Sequence, residues 1–425
     1  MKRYTLIGPI AALILALPVA GLSEEEKAID PDDLFGGGGG YFHPYIKTTG
    51  FYDDNVYRTS RNETSDYATV LSPGIWLAFP GTREKIVSVN TTTLTPGGLG
   101  VVEDRGEVFT RMRGFLHYGA DITRYQEVED NDTDDQRLDG LFQYNLKGGL
   151  TFEALDTYRD GHEERGQGVS GDLDTYKSNL LGGRVTYDLG SRFRLRGEYG
   201  HFNVDYDAEE NKIRDRDDDK YAAYLYYKLS GKSTVFAEYD LIDIRYDETA
   251  DLDSQEHYMW GGYRWRLTGK TMGEVKMGYL TKEYTVAETE SNGDFVVKGW
   301  LDYELTGKSR LKLIASRISE EPDRYDTASA LTNEVSAVLT HDLTGKINIS
   351  AEGGYSKTTY EGDYSYQGVV AEREDNEYTG RLSVDYQIQR WLGVGASYTY
   401  QDRDSTFEDL SYTDNRVLLS LTLAM

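Results

Sequence analysis

Several side-chain groupings in this 425-residue chain are of kinds that do chemistry. Gly166-Gln167-Gly168-Val169-Ser170-Gly171 spells G-x-G-x-x-G, which cradles a pyrophosphate when a buried strand precedes it and a helix follows. Here Gly161 to Arg165 and Asp172-Leu173-Asp174 flank it with charged residues, so a flexible loop is the better reading. The same stretch misses the hydrolase elbow because Asp172 stands where glycine is needed. Asp130-Asn131-Asp132-Thr133-Asp134-Asp135 gathers oxygen donors suited to calcium, but the EF-hand form needs Gly sixth and Glu twelfth. The chain has Asp135 and Leu141 there, and a solvated acidic loop is the plainer reading, as it is for Asp215 to Asp219. None of His43, His117, His162, His201, His257 and His341 has a histidine four residues on, so the helical zinc pair is absent. Spacing therefore assigns no catalytic residue, no cofactor site and no metal site.

A larger set of polar residues is defined by alternation. Arg192, Arg194 and Arg196 interleave with Phe193 and Leu195, and Arg264 and Arg266 with Tyr263, Trp265 and Leu267. Arg310 and Lys312 interleave with Leu311 and Leu313. Period-two alternation puts the two sets on opposite faces of a strand. An arginine facing lipid near mid-bilayer would cost roughly 2–4 kcal/mol, so the basic parity is expected to line a lumen. Tyr258, Trp260 and Trp300 are also expected to point inward, where aromatics fill space or offer platforms to sugar rings.

The elements that must position these residues announce themselves by their turns. Ser230-Gly231-Lys232, Thr268-Gly269-Lys270, Thr306-Gly307-Lys308 and Thr344-Gly345-Lys346 each start 38 residues after the last. Before the first, Tyr221, Ala223, Leu225, Tyr227 and Leu229 alternate with Ala222, Tyr224, Tyr226 and Lys228. Tight turns at one edge and long acidic links at the other are the signature of a transmembrane antiparallel up-and-down β-barrel. Eighteen strands are expected, near 42–55, 66–79, 84–126 (interrupted by an insertion at 93–108), 136–147, 149–158, 174–188, 191–205, 218–230 and 232–246. The rest lie near 254–268, 271–285, 293–306, 308–319, 327–343, 346–360, 373–389, 391–404 and 410–424. Pro80-Gly81-Thr82, Lys147-Gly148-Gly149 and Leu189-Gly190-Ser191 join the four repeats as short periplasmic turns. The loops near 127–135, 160–174, 207–219 and 361–375 are expected to be extracellular, solvated and acidic. A lumen basic in its periplasmic half and acidic at its outer mouth follows. The insertion and the long loops are the candidates for a constriction.

Composition agrees with such a wall. Thirty-five tyrosines, 45 glycines and only eight prolines suit strands, interfacial aromatic girdles and tight turns. A hydrophobic content of 38% is compatible with a barrel, because only alternate residues meet lipid. A formal charge of −27 argues against nucleic acid as a partner. The absence of cysteine removes disulfide frameworks and cysteine-based metal sites. Lys2 and Arg3, the apolar Leu6 to Val19 and the small Gly21 and Ser23 read as a secretory signal peptide over 1–23. An acidic and glycine-rich periplasmic tether at 24–40 precedes the barrel at 41–425. The destination expected is the outer membrane of a Gram-negative bacterium. The expected partners are its lipid and lipopolysaccharide and the barrel-assembly machinery.

Phe51-Tyr52-Asp53-Asp54-Asn55-Val56-Tyr57, then Ser65-Asp66, then Leu71-Ser72-Pro73-Gly74-Ile75 resembles the opening of the putative β-barrel porin 2 family. The resemblance implies an outer-membrane barrel found with exopolysaccharide export, and hence a polysaccharide conduit with periplasmic export components as partners. A general diffusion porin and a plugged adhesive barrel are the other two expectations. The chain ends Leu421-Thr422-Leu423-Ala424-Met425, with methionine where such barrels usually carry a terminal aromatic.

Overall fold

The computed structural model describes residues 40–81, 91–99, 111–165, 173–285, 292–321, 327, 329–362, 364–366 and 368–424. The expected signal peptide and tether lie outside the described residues except for Gly40. So do 166–172, which hold the glycine-rich motif.

Each strand pairs antiparallel with the next barrel strand. The order is β1 (Phe42–Asp53), β2 (Asp66–Phe79), β3 (Met112–Tyr125), β4 (Thr133–Asn145), β5 (Leu150–His162), β6 (Thr175–Leu189) and β7 (Phe193–Tyr206). Then come β8 (Arg216–Ser230), β9 (Ser233–Tyr246), β10 (Ser254–Thr268), β11 (Thr271–Tyr284), β12 (Asn292–Thr306), β13 (Ser309–Glu320), β14 (Ser329–Thr344) and β15 (Ile347–Glu361). A small loop hairpin, β16 (Tyr364–Tyr366) and β17 (Val369–Ala371), precedes β18 (Glu374–Gln389), β19 (Leu392–Ser405) and β20 (Tyr412–Ala424). β15 pairs directly with β18, and β1 pairs with β20 from Tyr45↔Ala424 to Asp53↔Arg416. The result is a closed sheet of 18 strands.

The outer face carries the apolar parity. Val417, Leu419, Leu421 and Leu423 of β20 are exposed, as are Phe193, Leu195 and Tyr199 of β7 and Met259 of β10. The repeated turns have a local cause. The hydroxyl of Ser230, Thr268, Thr306 or Thr344 accepts a hydrogen bond from the amide of the lysine two residues on, at 3.1–3.2 Å. That side-chain turn reverses the backbone within two residues, and a bulge immediately precedes it in each hairpin.

Four expectations are corrected. The third strand is Met112–Tyr125 alone. Pro80-Gly81 opens a long connection on the turn edge rather than a tight turn, and its described residues 91–99 hold one isolated bridge, Thr91↔Leu99. Charged segments read as loop continue as strand, because β4 starts at Thr133, β5 runs to His162 and β8 starts at Arg216. The loop expected over 361–375 contains the hairpin β16–β17.

Candidate functional site

Residues 91–99 lie inside the barrel, close to its long-loop edge. Thr93 Oγ1 donates to Glu163 at 2.6 Å, just past the end of β5. Arg216 donates to the Thr93 carbonyl at 2.6 Å, and the Glu321 amide, just past β13, donates to the Leu94 carbonyl at 2.7 Å. The Gly97 amide donates to Asp218 at 2.8 Å. Gly98 has φ +70 and lies so close to Phe202 that an added Cβ would sit 2.2 Å from its ring. Glycine is needed there for both reasons. Leu99 packs on an apolar cluster of Trp76, Phe115, Leu141, Leu155, Leu180 and Phe202.

The loop-edge clamp centres on Glu163. It accepts from Arg214 at 2.9 Å through each oxygen and from Tyr206 Oη at 2.6 Å, besides Thr93. Burial works to raise its pKa, but the Arg214 charge and the three donors outweigh that and hold it below the usual carboxylate range. Glu164 behaves alike: burial is overcome by Arg58 and Arg416, which bring it down to about 2. Glu321 is also lowered, against burial, by Lys282 and Arg216.

These contacts identify the inner face, and register carries that assignment round the wall, since opposed residues share a face. Phe202 pairs with Asp218, Asp218 with Ile244, Asp240 with Tyr258, Arg264 with Glu274, Glu274 with Trp300 and Asp302 with Lys312. Arg194, Arg196, Tyr258, Trp260, Arg264, Arg266, Trp300, Arg310 and Lys312 all lie on the inner parity. Arg192 differs: it precedes β7 and donates at 3.0 Å to Tyr227 Oη, whose ring packs on the outward Phe193. A residue in a turn is not bound by the strand's parity.

The inner residues are not a free basic belt. Arg194 holds Asp188 at 2.7 Å, Arg264 pairs with Glu274, and Arg310 holds Asp302 at 2.6 Å. Arg196 lies over the rings of Tyr224 and Tyr226 and donates to Thr186 at 3.2 Å. The loop half of the interior carries buried Arg58, Arg214, Arg216, Arg373 and Arg403, so the expected division into a basic half and an acidic mouth does not hold. Tyr258 and Trp260 are only 6% and 5% exposed, stacked with centroids 5.5 Å apart in a cluster with Ile242, Leu280 and Val296. Lys276 lies 4.5 Å above the Trp260 ring, so neither aromatic presents a face to the lumen. Trp300 is half-buried.

Glu163, Arg214, Arg216 and Asp218 were missed as interior residues. The alternation of Arg216, Asp218 and Lys220 with Asp217 and Asp219 was the available signal. The acidic loop at 130–135 has basic partners from the chain: Asp130 pairs with Arg165, Asp134 with Arg124 and Asp135 with His162. Asp53, Asp54 and Asp414 also lie close together. Arg416 and Arg58 reach into that trio and offset part of its charge.

The Asp53-Asp54-Asn55 motif closes the wall. Asp53 binds Arg416 at 2.8 Å, Asp54 accepts from the Asn415 amide at 2.7 Å, and Asn55 donates to the Thr413 carbonyl at 2.9 Å.

A family profile described as "Putative beta-barrel porin 2" matches residues 109–425. The match begins after the motif at 51–75. No curated protein matches the chain. Solved structures similar to the chain include, from Pseudomonas aeruginosa, OpdK with vanillate (9% identity, TM-score 0.45, covering 91% of this chain and 100% of that one). OccK2 (OpdF) is 9% identical with TM-score 0.46, covering 91% and 99%. OpdO is 12% identical with TM-score 0.46, covering 91% and 98%.

Proposed function

The chain belongs to the putative beta-barrel porin 2 family, and we propose that this outer-membrane barrel is a passive pore for small hydrophilic solutes. An 18-stranded wall is too wide for its own side chains to fill. What supports a small-solute aperture is the docking of 91–99 across the interior, together with two apolar clusters on the inner face. A polysaccharide conduit has less support, because Tyr258 and Trp260, the best candidates for sugar platforms, are packed away. The inner parity supplies a polar lining in which most charges are paired, suited to passage without tight retention.

Reconstitution in planar bilayers tests this. A stable open current is expected, and liposomes should take up monosaccharides but exclude oligosaccharides of several rings. Deleting 91–99 should raise conductance and the size limit together. Absence of any channel from correctly folded barrel, with or without the segment, would refute the proposal.

A further inference from the structure

One lateral row crosses the inner wall away from the segment's contacts on β7 and β8. Lys276 pairs with Lys298, Lys298 with Ser316, Ser316 with Glu334, Glu334 with Ser356, Ser356 with Glu377 and Glu377 with Arg403. The two ends are satisfied: Lys276 binds Glu238 at 2.6 Å and Arg403 binds Glu377 at 2.6 Å. The middle is different. Among the described residues Lys298 forms no hydrogen bond or ion pair, and its nearest like charges are Lys276 and Lys220. Glu238 and Asp240, also near it, are engaged by Lys276 and the Trp260 indole. Among the described residues Glu334 has only the Ser316 hydroxyl at 3.4 Å, and Glu320, on the same face of β13 as Ser316, only the Thr332 hydroxyl at 2.5 Å.

An unpaired cation therefore stands beside two carboxylates that lack a cation of their own. All three are half-buried and on the inner face of the wall. Charges held away from bulk water carry a penalty unless partnered. A single ligand bearing both signs would partner all of them. Directly opposed residues have Cβ atoms about 4.5–5.5 Å apart, so Lys298 and Glu334, two strands apart, stand roughly 10 Å apart at the backbone. The lysine stem shortens that distance. Glu320 directly precedes Glu321, whose amide holds Leu94, so the docked segment touches the wall one residue from this site.

We propose that Lys298, Glu334 and Glu320 form a subsite for small zwitterions whose carboxylate and ammonium are separated by several carbons. The carboxylate meets Lys298, the ammonium meets Glu334 and Glu320, and Ser316 lies between. The subsite deepens the pore reading and rests on it for its place in transport, but binding itself is measured without a current.

The test uses the full folded chain in detergent with three matched probes: 6-aminohexanoate, hexanoate and hexylammonium. Saturation-transfer NMR should show 6-aminohexanoate binding at least tenfold more tightly than either singly charged probe. K298M should remove its advantage over hexylammonium, and E334Q with E320Q its advantage over hexanoate, while heat-modified gel mobility reports that each variant is folded. Equal binding of hexanoate and 6-aminohexanoate would mean a plain anion site, and equal binding of hexylammonium a plain cation site; either overturns the proposal, as does no binding by folded protein. A barrel that binds 6-aminohexanoate without conducting would defeat the pore reading alone.

Discussion

Thr93→Val probes the docked segment with little collateral change. Valine keeps the shape of threonine and removes one group, the hydroxyl that donates to Glu163 at 2.6 Å. Glu163 keeps Arg214 and Tyr206, so no buried charge is orphaned. A hydrogen bond to a charged group is worth about 1.5–3 kcal/mol. With a factor of ten for each 1.4 kcal/mol, the ratio of docked to undocked segment should fall by about 10- to 150-fold. The Arg216, Glu321 and Asp218 contacts remain, so the segment stays mostly docked but opens far more often. Single-channel recording should show that as a larger share of time at a higher current level. Gly98→Val asks the same question by crowding, since its side chain would meet Phe202. Current traces of both variants indistinguishable from the parent would refute the view that this segment sets the aperture.

Three further outcomes are expected. Arg416→Met leaves Asp53, which is 0% exposed, without its cation, at a cost of about 3–5 kcal/mol; urea unfolding followed by gel mobility should show it, and adding Asp53→Asn should recover part. Burial, aided by Asp205, Asp247 and Glu248 and opposed by the Tyr206 amide, pushes Asp215 up to about 6 from 3.8. The stability it contributes is full below about pH 4 and is lost as pH rises through about 6, so hydrogen-exchange protection of 207–215, corrected for intrinsic rates, should fall over that window and stay flat in Asp215→Asn. Leu419→Arg, at an outward position 65% exposed, should cost roughly 2–4 kcal/mol of barrel stability in bilayers and leave conductance unchanged.

Alternation located the barrel because lipid and water impose opposite demands on successive residues. It failed where that contrast vanishes. At the loop edge both faces of a strand are polar, so Arg216 and Asp218 looked like loop although they point inward. Parity also says which face a residue takes, not what covers it. Tyr258 and Trp260 took the expected face, yet Leu280, Val296 and Lys276 bury them. Arg192 was placed by extending a strand's rule into a turn. The docking of 91–99 was illegible because its partners, Glu163, Arg216, Asp218 and Glu321, come from strands far along the chain. The arginine pairings were partly visible, since Asp188, Glu274 and Asp302 stand near their partners across hairpins.

The latch between the first and last strands carries an implication for biogenesis. Asp53, Asp54 and Asn55 are separated from their partners Arg416, Asn415 and Thr413 by 358 to 363 residues of chain. Away from β20, Asp53 and Asp54 lack the Arg416 and Asn415 contacts, which disfavours closure onto any strand without a matching arginine. The chemistry at this seam thus selects β20 as the partner on which β1 closes the cylinder.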